Sequence, residues 1–512
     1  MNPTPALSLT PSKHGRHGVI RGLTETPATG PFDGRFTRLF PHLAAARHAE
    51  TDLLKLAGAM TADFEATPTP ETEPDDEENT GIRAGYTYLG QFIDHDLTFD
   101  PVSSLQREND PNALEDFRTP QFDLDNIYGR GPADQPYLYR DDGLHMLLGE
   151  PLTGAHIDPN ARGVPRNRPS GTEPARALLG DPRNDENVIV SQLQAAMLRF
   201  HNRVVDFTGT KDFEQAQNIV RFHYQWVVLN DFLKTIVGEE TWKAVLPNLA
   251  KRTTVRQDPP HLKVVKKGKW GGQIPVEFSV AAYRFGHSMI RPIYRLNASI
   301  PRLPIFTSDN GESLVGFRDF PHNWAIDWRL FFDLEAAPKP NLGPKRIQPA
   351  YKIDSSLVNP LGKLPASVAS NPSSLAARNL LRGASMGLPS GQLVADALGF
   401  KPIPDAQLKV GKANKDDTPT NPLLTSLGAF KNNAPLWYYI LAEAQQQFVD
   451  NDTPIHMGPT GGRIVAEVFA GLMLFDKHSF LNADPSFEPI KEFRSATGQF
   501  GMAELLKQAI LA

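Results

Sequence analysis

The chain has 512 residues, 22% of them charged, and a formal net charge of -5 at pH 7. That balance leaves no basic footprint for nucleic acid, so no such partner is expected. Cysteine is absent, which excludes disulfides, thiolate metal sites and cysteine nucleophiles together. A thiol-free chain also tolerates strong oxidants well.

In chain order, the first segment, MNPTPALSLTPSKHGRHGVIRG, has no apolar stretch of the kind that marks a secretory signal. His14 and His17 lie three apart there, but the glycines around them argue against a helical metal pair. ATPTPETEPDDEENT, residues 66–80, is acidic, proline-rich and aperiodic. It reads as a surface loop that closes an N-terminal arm, residues 1–80, and separates it from the main body, 81–512. YLGQFIDHDLTF, residues 88–99, follows as a largely apolar helix. Gln91, Asp94 and His95 share one face of it, and Asp96 points about 100° further round. LLGDPRNDEN, residues 178–187, sets Arg183 and Glu186 three apart just before a long helix over 187–207. In that helix Val190, Leu193, Met197, Phe200 and Val204 recur at helical spacing. A second periodic helix spans 213–238 and ends on a glycine suited to a C-cap. LKVVKK, 262–267, is one of few strand signals. VEFSVAAYRFGHSMI, 276–290, reads as a helix ending before Pro292, with Arg284 and His287 one turn apart. Further helices are expected at 373–383, where Asn379 and Arg382 are again three apart, and at 436–449, 460–476 and 501–511. The 45 prolines and 39 glycines are spread between these patterns rather than gathered in one tract, as in helices joined by long irregular connections. The longest apolar run, VAEVFAGLMLF at 465–475, is too short to span a membrane. With no internal repeat, the expected fold is one large, mainly α domain with long irregular loops and few short strands.

Each polar cluster has an ordinary structural reading on its own. Asp94–His95–Asp96 could be a solvated turn, Arg183 and Glu186 a surface loop at a helix start, and His287 a core histidine bonded to a carbonyl. His201, in RFHNRVV, reads as structural. No HExxH or GxxxxGK[ST] is present, which removes the common zinc-hydrolase and nucleotide-binding readings.

In this order the four segments resemble the animal-type haem peroxidases of the peroxidase-cyclooxygenase superfamily, as a short member. In that family GQxxDHD carries the distal histidine, GDxRxxE the catalytic arginine, FRxGH the proximal iron ligand, and a later N-x-x-R its partners. The resemblance covers roughly residues 81–475, including MGPTGGRIVAEVFAGLM near the C-terminus. It implies that Gln91, His95 and Arg183 are catalytic and that His287 ligates the iron of haem b. Asn379 would be the partner of that histidine, and Arg284 and Arg382 would pair with propionates. Asp94 and Glu186 correspond to the residues that form ester bonds to haem methyl groups in mammalian members. Asn187 stands where myeloperoxidase has the methionine of its sulfonium bond, so that link is not expected. Chloride then becomes a less favourable donor than bromide, iodide or thiocyanate.

RTPQFDLDNIYG, residues 118–129, resembles the family's calcium loop. The implied ligands are Asp96, Thr119, Gln121, Asp123 and Asp125, a hard-oxygen set of the kind calcium takes. The expected partners are hydrogen peroxide and small donors (halide, thiocyanate, phenols). A fatty-acid dioxygenase on the same scaffold is the alternative. It needs a tyrosine three residues before the proximal histidine, and that position is Arg284, with Tyr283 about 100° away on a helix. A non-enzymatic haem-binding or adhesion protein ranks last, since no RGD or KGD is present. A soluble protein is expected, cytoplasmic or exported by a signal-independent route, and its oligomeric state is left open.

Overall fold

The structure is a computed structural model. It describes residues 36–63, 74–98, 120–168, 175–268, 272–307, 312–335, 340, 343, 345–366, 368–369, 371–448 and 455–512. Thr119, His14 and His17 lie outside the described residues.

The helices of nine or more residues among them are α1 (Glu50–Ala59), α2 (Gly85–Leu97), α3 (Val188–Thr208), α4 (Phe213–Val227), α5 (Leu233–Val245), α6 (Leu375–Ser385), α7 (Leu436–Gln445), α8 (Pro459–Phe475) and α9 (Met502–Ile510). Strands are short. β1 (Glu78–Arg83) pairs antiparallel with β4 (Pro349–Tyr351), and β2 (Ile293–Tyr294) with β3 (Leu303–Pro304). The mainly α fold with few short strands is the one expected from the sequence.

Burial decides where the helices sit. Every residue of α7 is buried, as is α8 from Thr460 to Met473, so these two form the centre. α8 packs on α5, α9 on α3, and α2 on α3. Each end is closed by a specific group. The Glu443 carboxylate of α7 accepts the amides of Thr460 (2.8 Å) and Gly461 (3.3 Å) at the start of α8, satisfying donors that have no partner inside the helix. Asn187 caps α3 through the amides of Ile189 and Val190, and Gly209 ends it in the left-handed conformation.

Three expectations need correction. The 276–290 segment is not one helix but a turn at Val276–Ser279 and a 3-10 helix at Ala282–His287. Ala281 is non-helical between them, and the Ser279 carbonyl is taken by Arg284 Nε at 3.0 Å. LKVVKK forms no strand, because the amides of Lys263, Val264 and Val265 all donate to the buried Glu467 carboxylate. The 213–238 helix passes through a π turn at Val228–Phe232 and breaks at Gly238 (φ 77°), but helix resumes to Val245. Burial of Trp242 and Val245 carries it past the glycine. The described part of the segment read as an arm is also embedded in the body: Leu53, Leu56, Met60, Glu78 and Asn79 are buried and α1 packs on α6.

Candidate active site

Two polar groups are carried by α2 with the segment 181–187 and by the 3-10 helix 282–287 with α6. Gln91, Asp94, Arg183, Glu186, Arg284 and His287 are all partly accessible, and Asp94 is close enough to act on Arg183 and Arg284 alike. The space these side chains share is the candidate cleft.

α2 carries the first group. Tyr88, Leu89, Phe92 and Ile93 bury its apolar face, which turns Gln91 and Asp94 to the cleft. His95 is buried, with Nδ1 2.6 Å from Asn184 Oδ1. Asn184 Nδ2 in turn donates to Gln194 Oε1 at 2.8 Å, so the amide oxygen faces the imidazole. Nδ1 therefore carries a ring proton, and Nε2 is turned toward Glu186. Nε2 stands 3.5 Å from Glu186 Oε1, the oxygen that also accepts a hydrogen bond from Gln91 Nε2. Burial works against the Glu186 charge, but His95, Arg183 and Gln91 outweigh it and lower its pKa.

Arg183 lies on a short 3-10 helix, Pro182–Asp185. Its guanidinium donates to Asp181 (Nη2 to Oδ2, 2.9 Å) and to the carbonyls of His95 (3.2 Å) and Thr98 at the end of α2. A cation is favoured there by the helix dipole. Burial opposes the charge, yet Asp181, Asp94 and Glu186 raise the pKa of Arg183 overall. Gly180 permits close packing on the Asp125–Asn126 backbone, since a Cβ there would stand 2.3 Å from the Asp125 carbonyl oxygen.

The second group surrounds His287. Arg284 Nη1 donates to Asn379 Oδ1 at 2.9 Å, and Asn379 Nδ2 lies 2.8 Å from His287 Nδ1. Burial, then the Arg284 charge, pushes the pKa of His287 down to about 3, so the imidazole is neutral. The Trp437 ring lies 6.5 Å from it edge-on, and its Nε1 donates to the Arg284 carbonyl at 3.1 Å. Arg284 is itself disfavoured by burial, helped by Asp94, and pushed down further by Arg382 and Arg378. Asp94 is thus felt by Arg183 on one side and by Arg284 on the other.

These residues fit a haem. His287 is a neutral imidazole with Nδ1 engaged, and Nε2 has no hydrogen bond among the described residues. A Cβ on neighbouring Gly286 would meet nothing within 4 Å, which leaves room for a flat group. Three crowded guanidiniums suit two propionates.

On the other side of α2, Asp96 and Asp125 are fully buried and Asp123 nearly so. Leu124 between them adopts a left-handed conformation (φ 60°), a cost of about 1 kcal/mol for a residue with a side chain. Burial, then the charges of Asp125 and Asp96, raises the pKa of Asp123. Among the described residues no three such side chains stand at metal-holding distances. The donor chemistry suits calcium, but the shell is not preassembled, and Thr119 lies outside the described residues.

Asp181, Asn184 and Arg378 were not singled out from the sequence. The first two sit inside GDPRNDEN, whose density of side-chain acceptors was the available signal. Arg378 adjoins Asn379 and carried none. Tyr283 directs its hydroxyl to the Gly90 carbonyl at 3.2 Å. His201 is buried, bonded to Tyr128 and Leu144, in keeping with a structural role.

The helical layout and the two histidine groups define a protein of the peroxidase-cyclooxygenase fold. Peroxidase A from Dictyostelium discoideum aligns over 90% of this chain and 92% of its own with a TM-score of 0.56 at 16% identity. The fatty acid alpha-dioxygenase of Oryza sativa aligns over 91% and 77% with a TM-score of 0.51 at 15% identity. The family model for animal haem peroxidase matches residues 106–407, and the chain belongs to that family. The match starts beyond α2, so Gln91–Asp96 stand outside it. Thyroid peroxidase of Canis lupus familiaris is 26% identical over 319 residues, 57% of this chain and 30% of that protein. Peroxidasin of Drosophila melanogaster is 25% identical over 316 residues, 56% and 18% respectively. The chain thus spans less than a third of the length of these two relatives. No described helix is long and apolar enough to cross a membrane.

Proposed function

We propose that the chain is a haem b peroxidase that reduces hydrogen peroxide with His95 and Arg183 and oxidises halide, thiocyanate or small phenols, with residues 81–512 as its catalytic unit. The observation that carries this reading is the relay Gln194–Asn184–His95, which holds a proton on Nδ1 and turns Nε2 toward Gln91 and Glu186. His95 takes a proton from the bound peroxide and returns it to the departing oxygen. Arg183, held charged by Asp181, supplies positive potential for that oxygen. Gln91 orders a small molecule or anion one turn away.

His287 Nε2 would hold the haem iron, which would supply the electrons for O–O cleavage. Asn379, beside His287 Nδ1, would fix the ring, and Arg284 would meet a propionate. Arg382 and Arg378 strengthen the same cationic rim. Asp94 and Glu186 are the candidates for ester links, and Asp96, Gln121, Asp123 and Asp125, with Thr119, for calcium. Because Asp96 adjoins His95, calcium would tie the distal helix to its loop.

The dioxygenase reading is disfavoured because the Tyr283 hydroxyl is committed to the Gly90 carbonyl. The test is a donor survey on haem-loaded protein with hydrogen peroxide and bromide, iodide, thiocyanate or a phenol. Donor oxidation is expected, and His95→Ala and Arg183→Ala should each slow the reaction with peroxide roughly 10²-fold or more while haem stays bound. Oxygen uptake with linoleate and no peroxide, with no donor oxidised, would overturn the reading.

A further inference from the structure

We propose that Asn187 is a positioning residue that sets which end of the Gln91 amide faces the distal pocket. The inference rests on the assignment of Gln91 and His95 to that pocket. Asn187 is the N-cap residue of α3. Its Oδ1 accepts the amides of Ile189 (3.1 Å) and Val190 (2.8 Å), so the oxygen is fixed at the helix start, where unpaired N–H groups require an acceptor. The nitrogen must then point away, and it donates to Gln91 Oε1 at 2.9 Å.

That contact decides the orientation of Gln91. With its oxygen held by Asn187, Gln91 presents Nε2 to Glu186 Oε1, the carboxylate oxygen 3.5 Å from His95 Nε2. The backbone of Asn187 is anchored as well, by its bridge to Val315 and by the Ser191 amide donating to its carbonyl at 3.0 Å. The helix cap and the pocket amide are therefore one rigid unit. A residue that caps the helix without an N–H to donate would keep the fold and release Gln91.

Two substitutions separate these roles. Asn187→Asp keeps an acceptor for the cap but sets a carboxylate against Gln91 Oε1, which removes the donor that holds the amide. Asn187→Ser keeps a capping hydroxyl and is too short to reach Gln91. The readout is the cyanide complex of the ferric holoprotein, by dissociation constant and by the infrared C–N stretch. Gln91→Leu and His95→Ala serve as references, and the thermal midpoint of the haem-free chain reports the cap.

Both Asn187 variants are expected to change cyanide affinity about fivefold, the scale of one lost hydrogen bond. Both should shift the stretch in the direction given by Gln91→Leu, and the serine variant should stay within about 2 °C of the parent midpoint. If both variants match the parent while Gln91→Leu differs, Gln91 acts in the pocket without Asn187, and the inference fails alone. If Gln91→Leu and His95→Ala also match the parent, the distal assignment fails and takes the inference with it.

Discussion

His201 offers a pH test whose size follows from its surroundings. It is fully buried on α3, with Nε2 2.8 Å from the Leu144 carbonyl and Nδ1 2.9 Å from the Tyr128 hydroxyl. Burial, only partly offset by the Leu144 carbonyl, pushes its pKa from 6.5 down to about 4. The unfolded chain therefore binds a proton between pH 6.5 and 4 that the folded chain refuses. A depressed histidine contributes stability that is present above the unfolded pKa and is lost as pH falls through the folded one. At pH 7.5 nearly all of it is present. At pH 4.5, at about 1.4 kcal/mol per pH unit of gap, about 2.5 kcal/mol of it is gone. The assay is urea unfolding of the parent and of His201→Gln from pH 7.5 to 4.5. His223, also near 4, titrates in both proteins and cancels in the difference. The parent should lose about 2.5 kcal/mol more than the variant over this range. A parent-minus-variant difference that stays flat across the range would refute the reasoning.

Calcium removal gives a second test. Prolonged chelation of the holoprotein should broaden the Soret band and lower the thermal midpoint, with both restored by added calcium. An unchanged spectrum after demonstrated metal removal would discard the calcium reading. Covalent haem gives a third. After turnover with peroxide, a fraction of the haem should resist extraction by acidified organic solvent, and Asp94→Val with Glu186→Val should release all of it. Complete release of unmodified haem from the parent would exclude the ester.

The helices that bear the site were legible because their apolar faces repeat at helical spacing. Gln91 and His95 lie on α2 as the spacing implied, and Asp96 points to Asp123 and Asp125, as the angular offset required. The 276–290 segment misled because apolar residues recur along it while the Ser279 carbonyl is spent on the Arg284 side chain. LKVVKK misled for a similar reason, since Glu467 lies about 200 positions away and still takes three amides from it. The amide contacts of Asn184 and Asn187 were invisible in the sequence because they lie in which atom faces which partner. Amide orientation is set by neighbours from other helices and leaves no periodic trace.

The proposed peroxidase depends first on His287 holding the iron. The most direct measurement is the absorption spectrum of the ferric protein after haem titration, for the parent and for His287→Gly, with and without added imidazole. The account predicts one haem per chain with a histidine-ligated Soret band in the parent, loss of that band in the variant, and its return when imidazole enters the space left by the side chain. A His287→Gly protein that binds haem with the parent's spectrum and needs no imidazole would contradict it.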